Sequence, residues 1–220
     1  MKRAICLAMC LSAGATYAAT IQFDSSNSVT NPDFSTTFDA FSATEYVAAP
    51  QSFDGFTFNQ VNSASRIWTR YNPGGSGDGR SWYPDGGDFG YTEISLTSGE
   101  NFGDVSLHVG TGNATNDYLA YELLDDNVVI QSGGLSGHTT QLWSYHWLTI
   151  SGGGFDTIRL RDSAEIGVDV GSGGKNALAF DSVYVTTSAV PLPSSLALFA
   201  ASGAFLFGFR RLGKRGNEAV

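Results

Sequence analysis

A glycine-rich stretch near the middle of the chain, residues 70–90 (RYNPGGSGDGRSWYPDGGDFG), combines aromatic and acidic side chains. Glycine lets a backbone approach a bound molecule closely, and an exposed Trp or Tyr offers a flat apolar surface to the C–H face of a sugar ring. Carboxylates can then accept hydrogen bonds from sugar hydroxyls. The candidate contacts for a carbohydrate are Tyr71, Trp82, Tyr83 and Asp85. The alternative is a connecting loop whose aromatic side chains anchor it to the body of the domain.

The aspartates of the chain offer a second chemistry, because Ca2+ takes six to eight oxygen ligands and favours carboxylates. Their spacing in residues 70–90 is not that of an EF-hand loop. Another arrangement pairs Asp24, in the first expected strand, with Asp181, in the last, since these strands neighbour each other in many jelly-roll domains. The sequence therefore offers Asp24 and Asp181 as ligands of a structural Ca2+, with Asp181 preferred. A solvated acidic surface is the alternative.

A row of aromatic residues marks residues 141–150, QLWSYHWLTI. Alternate side chains of a strand point to the same face. Three aromatic residues share one face and three other residues share the opposite face: Trp143, Tyr145 and Trp147 against Ser144, His146 and Leu148. Such a row is either a platform for sugar rings on an exposed sheet or part of a core. Leu142 and Ile150 break the alternation, which favours a partly buried strand.

The sequence contains no recognisable catalytic motif. None of the three histidines lies in a zinc-type spacing such as HExxH, and no GxSxG nucleophile elbow occurs. Both cysteines, Cys6 and Cys10, precede the expected mature domain, which therefore has no thiol for a disulfide, a metal site or a nucleophile. The sequence predicts that the protein is not an enzyme. Glycan hydrolysis by a pair of carboxylates is the alternative.

The distribution of charge narrows the class of partner. The chain has a net charge of -9, and residues 20–189 contain six basic against twenty acidic residues. A surface of this sign repels phosphate backbones, which argues against a nucleic-acid partner. It suits cations or neutral, hydroxyl-rich ligands better.

Short runs of β-branched and aromatic residues, separated by Gly, Asn, Asp and Ser, fill residues 20–188. Ten of these runs have strand length, and no stretch keeps a helical period over three turns. The sequence predicts an all-β domain, an antiparallel β-sandwich of the jelly-roll type. Residues 125–127, Asp-Asp-Asn, suit a hairpin turn in the left-handed region. A shift of the alternation at Asp181 and Ser182 indicates a bulge or bend in the last strand.

Both ends of the chain have the composition of targeting segments. Residues 1–19 combine a basic start, an apolar run and small residues, which is the layout of a secretory signal peptide. Residues 194–209 carry no charge and precede Arg210 and Arg211. A helix of this length, about 24 Å, nearly spans a hydrocarbon core of about 30 Å, and the arginines extend its reach. We therefore expect a transmembrane helix with a cytoplasmic basic end, with a buried C-terminal helix as the alternative.

The C-terminal segment, residues 189–215, resembles the PEP-CTERM sorting signal. The resemblance rests on a Val-Pro-x-Pro motif, a short apolar helix and an arginine-rich end. The residues are Val190, Pro191, Leu192, Pro193, Arg210 and Arg211. Leu192 stands where the family has glutamate. In that family an exosortase recognises the signal, in Gram-negative bacteria that make extracellular polysaccharide. The resemblance implies a transient inner-membrane anchor, cleavage near the prolines, and transfer to the cell surface or extracellular matrix.

The order of strands in residues 20–188 is similar to that of jelly-roll domains of the carbohydrate-binding-module or galactose-binding-like type. Together, the features predict a secreted surface or matrix protein, as in a biofilm, that binds extracellular polysaccharide through its sandwich. Two alternatives stay open: a structural matrix protein without a specific ligand, and a surface glycan hydrolase.

Overall fold

The computed structural model describes residues 18–39, 49–62, 81–82, 90–111, 118–137, 145–163, 166 and 178–188. All of these belong to one compact unit, Tyr17–Ala189. The other unit, Met1–Thr16 with Val190–Val220, lies outside the described residues. The sorting motif, the apolar segment 194–209 and all but the last two residues of the signal peptide therefore stay predictions. Among the residues that are described, no helix is long and apolar enough to cross a membrane.

The described chain forms eleven strands in two antiparallel sheets. The strands are β1 (Thr20–Asp24), β2 (Phe34–Thr36), β3 (Gln51–Phe53), β4 (Phe56–Val61), β5 (Tyr91–Leu96), β6 (Asn101–Thr111), β7 (Tyr118–Asp125), β8 (Val128–Ser136), β9 (Tyr145–Ser151), β10 (Thr157–Arg161) and β11 (Leu178–Ser188). One sheet has the order β1-β9-β6-β11-β2 and the other β3-β4-β5-β10-β7-β8. The predicted all-β, antiparallel sandwich is confirmed.

Alternation of side chains builds the core between the two sheets. Along β5, the buried residues alternate with half-buried ones that face away from the core. The core cluster joins Ile94 and Leu96 of the six-stranded sheet with Leu107 and Leu148 of the five-stranded sheet. Burial of such aliphatic side chains contributes about 1.5–3 kcal/mol each, so the apolar face of each sheet holds the other in place.

Two hairpin turns use consecutive residues with positive φ. Asp126 and Asn127 have φ of 50° and 64° between β7 and β8, which confirms the hairpin predicted there. Asp54 and Gly55, with φ of 51° and 85°, make a similar turn between β3 and β4. Two left-handed residues match the twist of the paired strands, so the Asp-Gly pair ends β3 and begins a hairpin.

β11 is irregular where the sequence predicted a bulge. Its register against β6 shifts between Phe180 and Ser182, which leaves Asp181 as the extra residue. A bulge bends a strand and changes the direction of a side chain. Here it brings the Asp181 carboxylate beside His108, the residue of β6 that pairs with Ser182.

The connection from β1 to β2 crosses the outer face of the five-stranded sheet, because these strands lie at opposite edges of it. On the way, the Ser28 hydroxyl lies 3.1 Å from the hydroxyl of Thr149 in β9. At the far side, the Asp33 N–H donates to the Val185 carbonyl at 2.8 Å. The crossing residues cover this part of the sheet, where Thr149 is only 5% exposed.

Candidate functional site

The outer face of the six-stranded sheet carries two rows of polar side chains across its central strands. Because Phe58, Ile94 and Ile158 are buried in the core, their neighbours along each strand point outward. Strand pairing places a hydroxyl row, Thr57, Ser95 and Thr157, beside a charged row, Asn59, Glu93, Arg159 and Glu122. The two rows lie side by side and run perpendicular to the strands.

Hydrogen bonds join every member of the charged row to its neighbour. Arg159 donates from Nε to Glu93 Oε1 at 2.9 Å and from Nη1 to Glu122 Oε2 at 3.1 Å. The Asn59 amide donates to the second oxygen of Glu93 at 3.0 Å. A guanidinium has five N–H donors, so these two bonds leave others for a ligand. The arginine side chain is 25% exposed, which leaves it within reach of solvent.

A shallow cavity of about 250 Å³ opens over the hydroxyl row and over the charged row except for Glu122, and we call it the groove. It is lined by Pro50, Thr57, Asn59, Glu93, Ser95, Leu124, Asn127, Thr157 and Arg159. Pro50 precedes β3 and Asn127 lies in the β7–β8 turn, so they mark opposite ends of the groove. With one guanidinium between two carboxylates, the charged row favours neutral hydroxyl groups over anions.

The surroundings of Tyr91 and Arg159 raise the pKa of both side chains. Burial raises the pKa of Tyr91 above its ordinary value of 10.0, opposed by the charge of Arg159 and assisted by Glu93 and Glu122. The Arg159 guanidinium lies 5.2 Å from the centre of the Tyr91 ring. Burial lowers the pKa of Arg159, but the hydrogen bonds to Glu93 and Glu122 outweigh this effect and the pKa is raised overall. Arg159 therefore stays charged throughout the pH range in which proteins fold.

The Tyr91 shift predicts a loss of stability in alkali. The unfolded chain releases the tyrosine proton at about pH 10, whereas the native state holds it to a higher pH. Native protein then binds more protons than unfolded protein, so the free energy of unfolding falls as pH rises from about 10 toward the native pKa. We expect Tyr91→Phe to reduce this fall in urea unfolding at pH 9 to 11.5. The exposed Tyr118→Phe is the control, and equal pH profiles for the Tyr91→Phe variant and the wild type would contradict the prediction.

A second cluster of polar and aromatic side chains lies on the outer face of the five-stranded sheet, and we call it the aromatic face. It consists of His108, Tyr145, Trp147 and Tyr184, all half-buried. The His108 ring stacks on Trp147 at 4.7 Å between centroids and lies 4.9 Å from Tyr145. The Trp147 ring lies 5.9 Å from that of Tyr184. The four rings therefore form one contiguous cluster, in which the His108 ring covers one face of Trp147.

A buried carboxylate fixes the imidazole of the aromatic face. His108 Nδ1 lies 3.1 Å from Asp181 Oδ2, and the aspartate side chain is 0% exposed while that of the histidine is 16% exposed. A carboxylate in this position orients the ring and selects the tautomer with a proton on Nδ1. The arrangement leaves Nε2 as the ring atom available for a ligand.

The predicted division of the aromatic row between two faces is confirmed for the part that the structure describes. Tyr145 and Trp147 lie outward, whereas Leu148 is in the core and His146 lies on the inner side, 5.8 Å from the Phe23 ring. Trp143 lies outside the described residues.

The prediction that Trp82 contacts a carbohydrate is wrong. Its backbone pairs with Phe180 through two hydrogen bonds of 2.8 and 2.9 Å, which places the side chain inside the sandwich. The indole is 1% exposed and packs against Phe58 at 5.3 Å. For Trp82 the alternative holds, in which an aromatic residue anchors the connection to the domain. The other three candidates, Tyr71, Tyr83 and Asp85, lie outside the described residues.

The expected pairing of Asp24 with Asp181 in a calcium site is also wrong. β9 and β6 lie between β1 and β11, so the two residues are separated by two strands of the same sheet. Asp181 is bonded to His108, and Asp24 accepts hydrogen bonds from Gln22. Within the described ranges, no three His, Cys, Asp or Glu side chains are grouped to hold a metal ion.

The sequence reasoning missed the groove. Arg159 lies between Ile158 and Leu160, and Glu122 lies between Tyr121 and Leu123, which is a signal for an outward position. Glu93 follows a polar residue, Thr92, so its signal is weaker. That signal predicts which face of the sheet a side chain lies on. It does not predict the hydrogen-bond partner of the side chain, because the charged row is assembled from strands far apart in the chain.

The described chain is an antiparallel β-sandwich with a polar groove on the outer face of one sheet. No protein-family model and no curated protein matches the sequence. A solved structure described as "CpGH89CBM32-6 produced by Clostridium perfringens" is similar with a TM-score of 0.39 and 11% identity, over 62% of this chain and 96% of that chain.

Proposed function

We propose that the sandwich binds a neutral polysaccharide along the groove of the six-stranded sheet. The observation that supports this most directly is the pair of rows, in which hydroxyl, amide and charged groups lie in register over four strands. Neighbouring strands are about 4.8 Å apart, so the charged row extends about 14 Å across the sheet. A groove of this length suits several consecutive sugar units better than a single small molecule.

The chemistry of the rows supports a hydroxyl-rich ligand. Thr57, Ser95 and Thr157 can both donate and accept, as sugar hydroxyls do. Arg159 supplies spare donors, and its bonds to Glu93 and Glu122 hold it in place before a ligand arrives. This preorganisation reduces the entropy lost on binding.

The position of Arg159 supports binding without cleavage. Hydrolysis by two carboxylates needs the scissile bond between them. In the charged row the arginine occupies the space between Glu93 and Glu122 and is hydrogen-bonded to both. We therefore propose a binding protein that is not an enzyme.

Affinity measurements with an Arg159→Met variant test the groove. The change removes the charged donors and leaves two glutamates without their partner. A hydrogen bond to a charged group contributes about 1.5–3 kcal/mol, so we expect at least about tenfold weaker binding to a neutral polysaccharide that the wild type retains in affinity electrophoresis. The probes are a panel of soluble neutral and uronate-containing polysaccharides.

Glu100→Gln is the matched control, because Glu100 lies exposed in the β5–β6 turn, away from the groove. Near-ultraviolet circular dichroism checks that both variants are folded. Equal retention of Arg159→Met and the wild type would overturn the groove as the binding site. Shortened chains in the product would favour the hydrolase, and no retention of any polysaccharide would favour a structural matrix protein.

We also propose, from the two termini of the sequence, that the protein is secreted and sorted by an exosortase to the cell surface or extracellular matrix. Mass spectrometry of both ends of the native protein tests this proposal. A C-terminus near Pro191–Pro193 in the surface or medium fraction supports sorting, whereas an intact Val220 in the inner membrane contradicts it.

A further inference from the structure

We propose that β8 is an interaction surface through which two copies of this chain pair edge to edge. The two β8 strands run antiparallel, so the six-stranded sheets of both copies join into one continuous sheet. The pairing stands on the geometry of β8 alone, whereas its consequence for ligand binding rests on the proposed function of the groove.

β8 differs from the other three edge strands of the described sheets. β2 and β3 have three residues each, and Pro50 directly precedes β3. β1 has five residues and ends in Asp24. β8 has nine residues, VVIQSGGLS, with no charge and no proline. Short strands, prolines and charges prevent edge-to-edge pairing, so β8 is the edge that stays open to another strand.

Aliphatic side chains are exposed in series at the start of β8. Val128, Val129 and Ile130 are 63%, 43% and 48% exposed. Every large hydrophobic residue that is exposed in the described chain belongs to β7 or β8. Apolar surface concentrated on one hairpin is typical of a protein–protein contact, whereas single scattered residues are not.

The sandwich holds β8 in place before any partner arrives. The Gln131 side-chain amide accepts a hydrogen bond from the Ala19 N–H at 2.8 Å and donates to the Ala19 carbonyl at 2.9 Å. Ala19 directly precedes β1, so β8 is bonded to both sheets. The register with β7 has a bulge at Ile130, near the turn, and is regular over Gln131–Ser136. A strand fixed in this way loses little entropy on pairing.

The charge of the chain indicates that the partner is a second copy. Residues 20–189 contain six basic against twenty acidic residues, so most surfaces of two copies repel each other. Two β8 strands meet with no like charges opposite each other. With the overlap centred on Gly133, the turns at Asp126 lie about 45 Å apart, far beyond the Debye length of about 8 Å at physiological salt. A partner recognised by its charge would find no complementary charge on β8.

The side chains also fit a self-pairing. In an antiparallel overlap centred on Gly133, Ile130 lies opposite Ser136 of the second copy, so a large residue meets a small one. In the other sheet, β1 carries its one charge at Asp24, five residues from Ala19 and about 17 Å away along an extended strand. Neither sheet therefore brings carboxylates together where the copies meet.

Antiparallel pairing gives the two grooves a common direction. The outer faces of the joined sheets lie on the same side, because paired residues of neighbouring strands point to the same face. Glu122 of the charged row pairs with Ser132 of β8, so the charged rows of the two copies extend toward each other. A dimer would then hold one polysaccharide at two grooves, and bivalent attachment raises retention without any new contact.

Sedimentation velocity of the full-length protein in a non-ionic detergent tests the pairing. We expect a dimer of the wild type and at least about hundredfold weaker self-association of Ile130→Lys, because the two-fold symmetry of the contact applies the change twice. Thr97→Lys, which adds the same charge in the exposed β5–β6 turn, should leave the dimer intact. A monomeric wild type, or a dimer that persists in Ile130→Lys, would overturn the proposal.

A crosslink between introduced cysteines tests which strands meet. Cys6 and Cys10, the two cysteines of the sequence, are replaced by serine in this experiment. Ser132→Cys, in the middle of β8, should then give a covalent dimer with a short thiol-reactive crosslinker. Ser98→Cys, exposed in the β5–β6 turn, is the control. Linkage of Ser132→Cys no greater than that of the control would contradict the β8 contact.

Polysaccharide retention separates a failure of the β8 contact from a failure of the groove. Arg159→Met should lose retention and still sediment as a dimer. Ile130→Lys should bind as a monomer, with retention about tenfold weaker or more. A dimer whose retention is unchanged in Arg159→Met would refute the groove and leave the β8 contact. A monomeric wild type whose retention falls in Arg159→Met would refute the β8 contact and leave the groove.

Discussion

Replacement of Trp82 by alanine is expected to lower the free energy of unfolding by about 3–5 kcal/mol. The indole is 1% exposed and packs against Phe58, so its removal leaves a cavity that the surrounding rings cannot fill. A domain of this size is stable by only about 5–15 kcal/mol, and the loss should appear as a large decrease in the guanidinium midpoint. The same variant, where folded, should keep its polysaccharide affinity.

A Trp82→Phe variant is the control for cavity formation. It keeps most of the apolar volume, and it removes the indole Nε1–H, which is buried without a hydrogen-bond partner in the described part of the chain. The loss of stability should therefore be much smaller than for alanine. An unchanged midpoint together with lost affinity in Trp82→Ala would reinstate Trp82 as a ligand contact.

Replacement of Gly55 by alanine is expected to destabilise the domain by about 2–5 kcal/mol. Gly55 has φ of 85°, and a left-handed conformation costs an alanine about 1–2 kcal/mol. A Cβ at this position would also lie 2.8 Å from Cε1 of Phe34 and closer still to Cδ1. Phe34 packs edge to face on Phe56 at 6.3 Å, so displacement of its ring disturbs the core by about 1–3 kcal/mol more.

Gly99→Ala separates the two contributions. Gly99 has φ of 74°, but a Cβ there would have no atom within 4 Å. Its replacement should cost about 1–2 kcal/mol, from backbone strain alone. Equal losses for the two variants in urea unfolding would mean that the Phe34 ring moves aside freely, which would contradict the expected contact.

Local chemistry made much of the fold predictable. The hairpin at Asp126 and Asn127 follows from residues that tolerate positive φ, and the bulge at Asp181 follows from a break in the alternation of β11. Both features depend on a few consecutive residues. β2 was not predicted, because a run of three residues between polar neighbours gives too short a pattern to recognise.

The candidate sites depend on contacts that no local pattern reveals. Arg159 reaches Glu93 across 66 positions and Glu122 across 37. His108 meets Asp181 across 73 positions. Each of these strands carries side chains of a type suited to ligand binding. Only the order of the strands in the sheets brings those side chains together. Trp82 shows the converse, since an aromatic residue in a glycine-rich stretch is drawn into the core by pairing with Phe180.

The order of strands in the five-stranded sheet also determines when the domain can fold during synthesis. Among the described strands, β1 pairs with β9 alone, and β2 pairs with β11, the last of them. The first two strands therefore leave the ribosome long before their partners exist, and their backbone groups stay bonded to water until then. Folding is slow when strands far apart in the chain must pair, and small β-sandwiches fold in about milliseconds to seconds. A chain interrupted before β9 lacks the partner of β1, and one interrupted before β11 lacks the partner of β2, so the five-stranded sheet is complete only once Ser188 has been made.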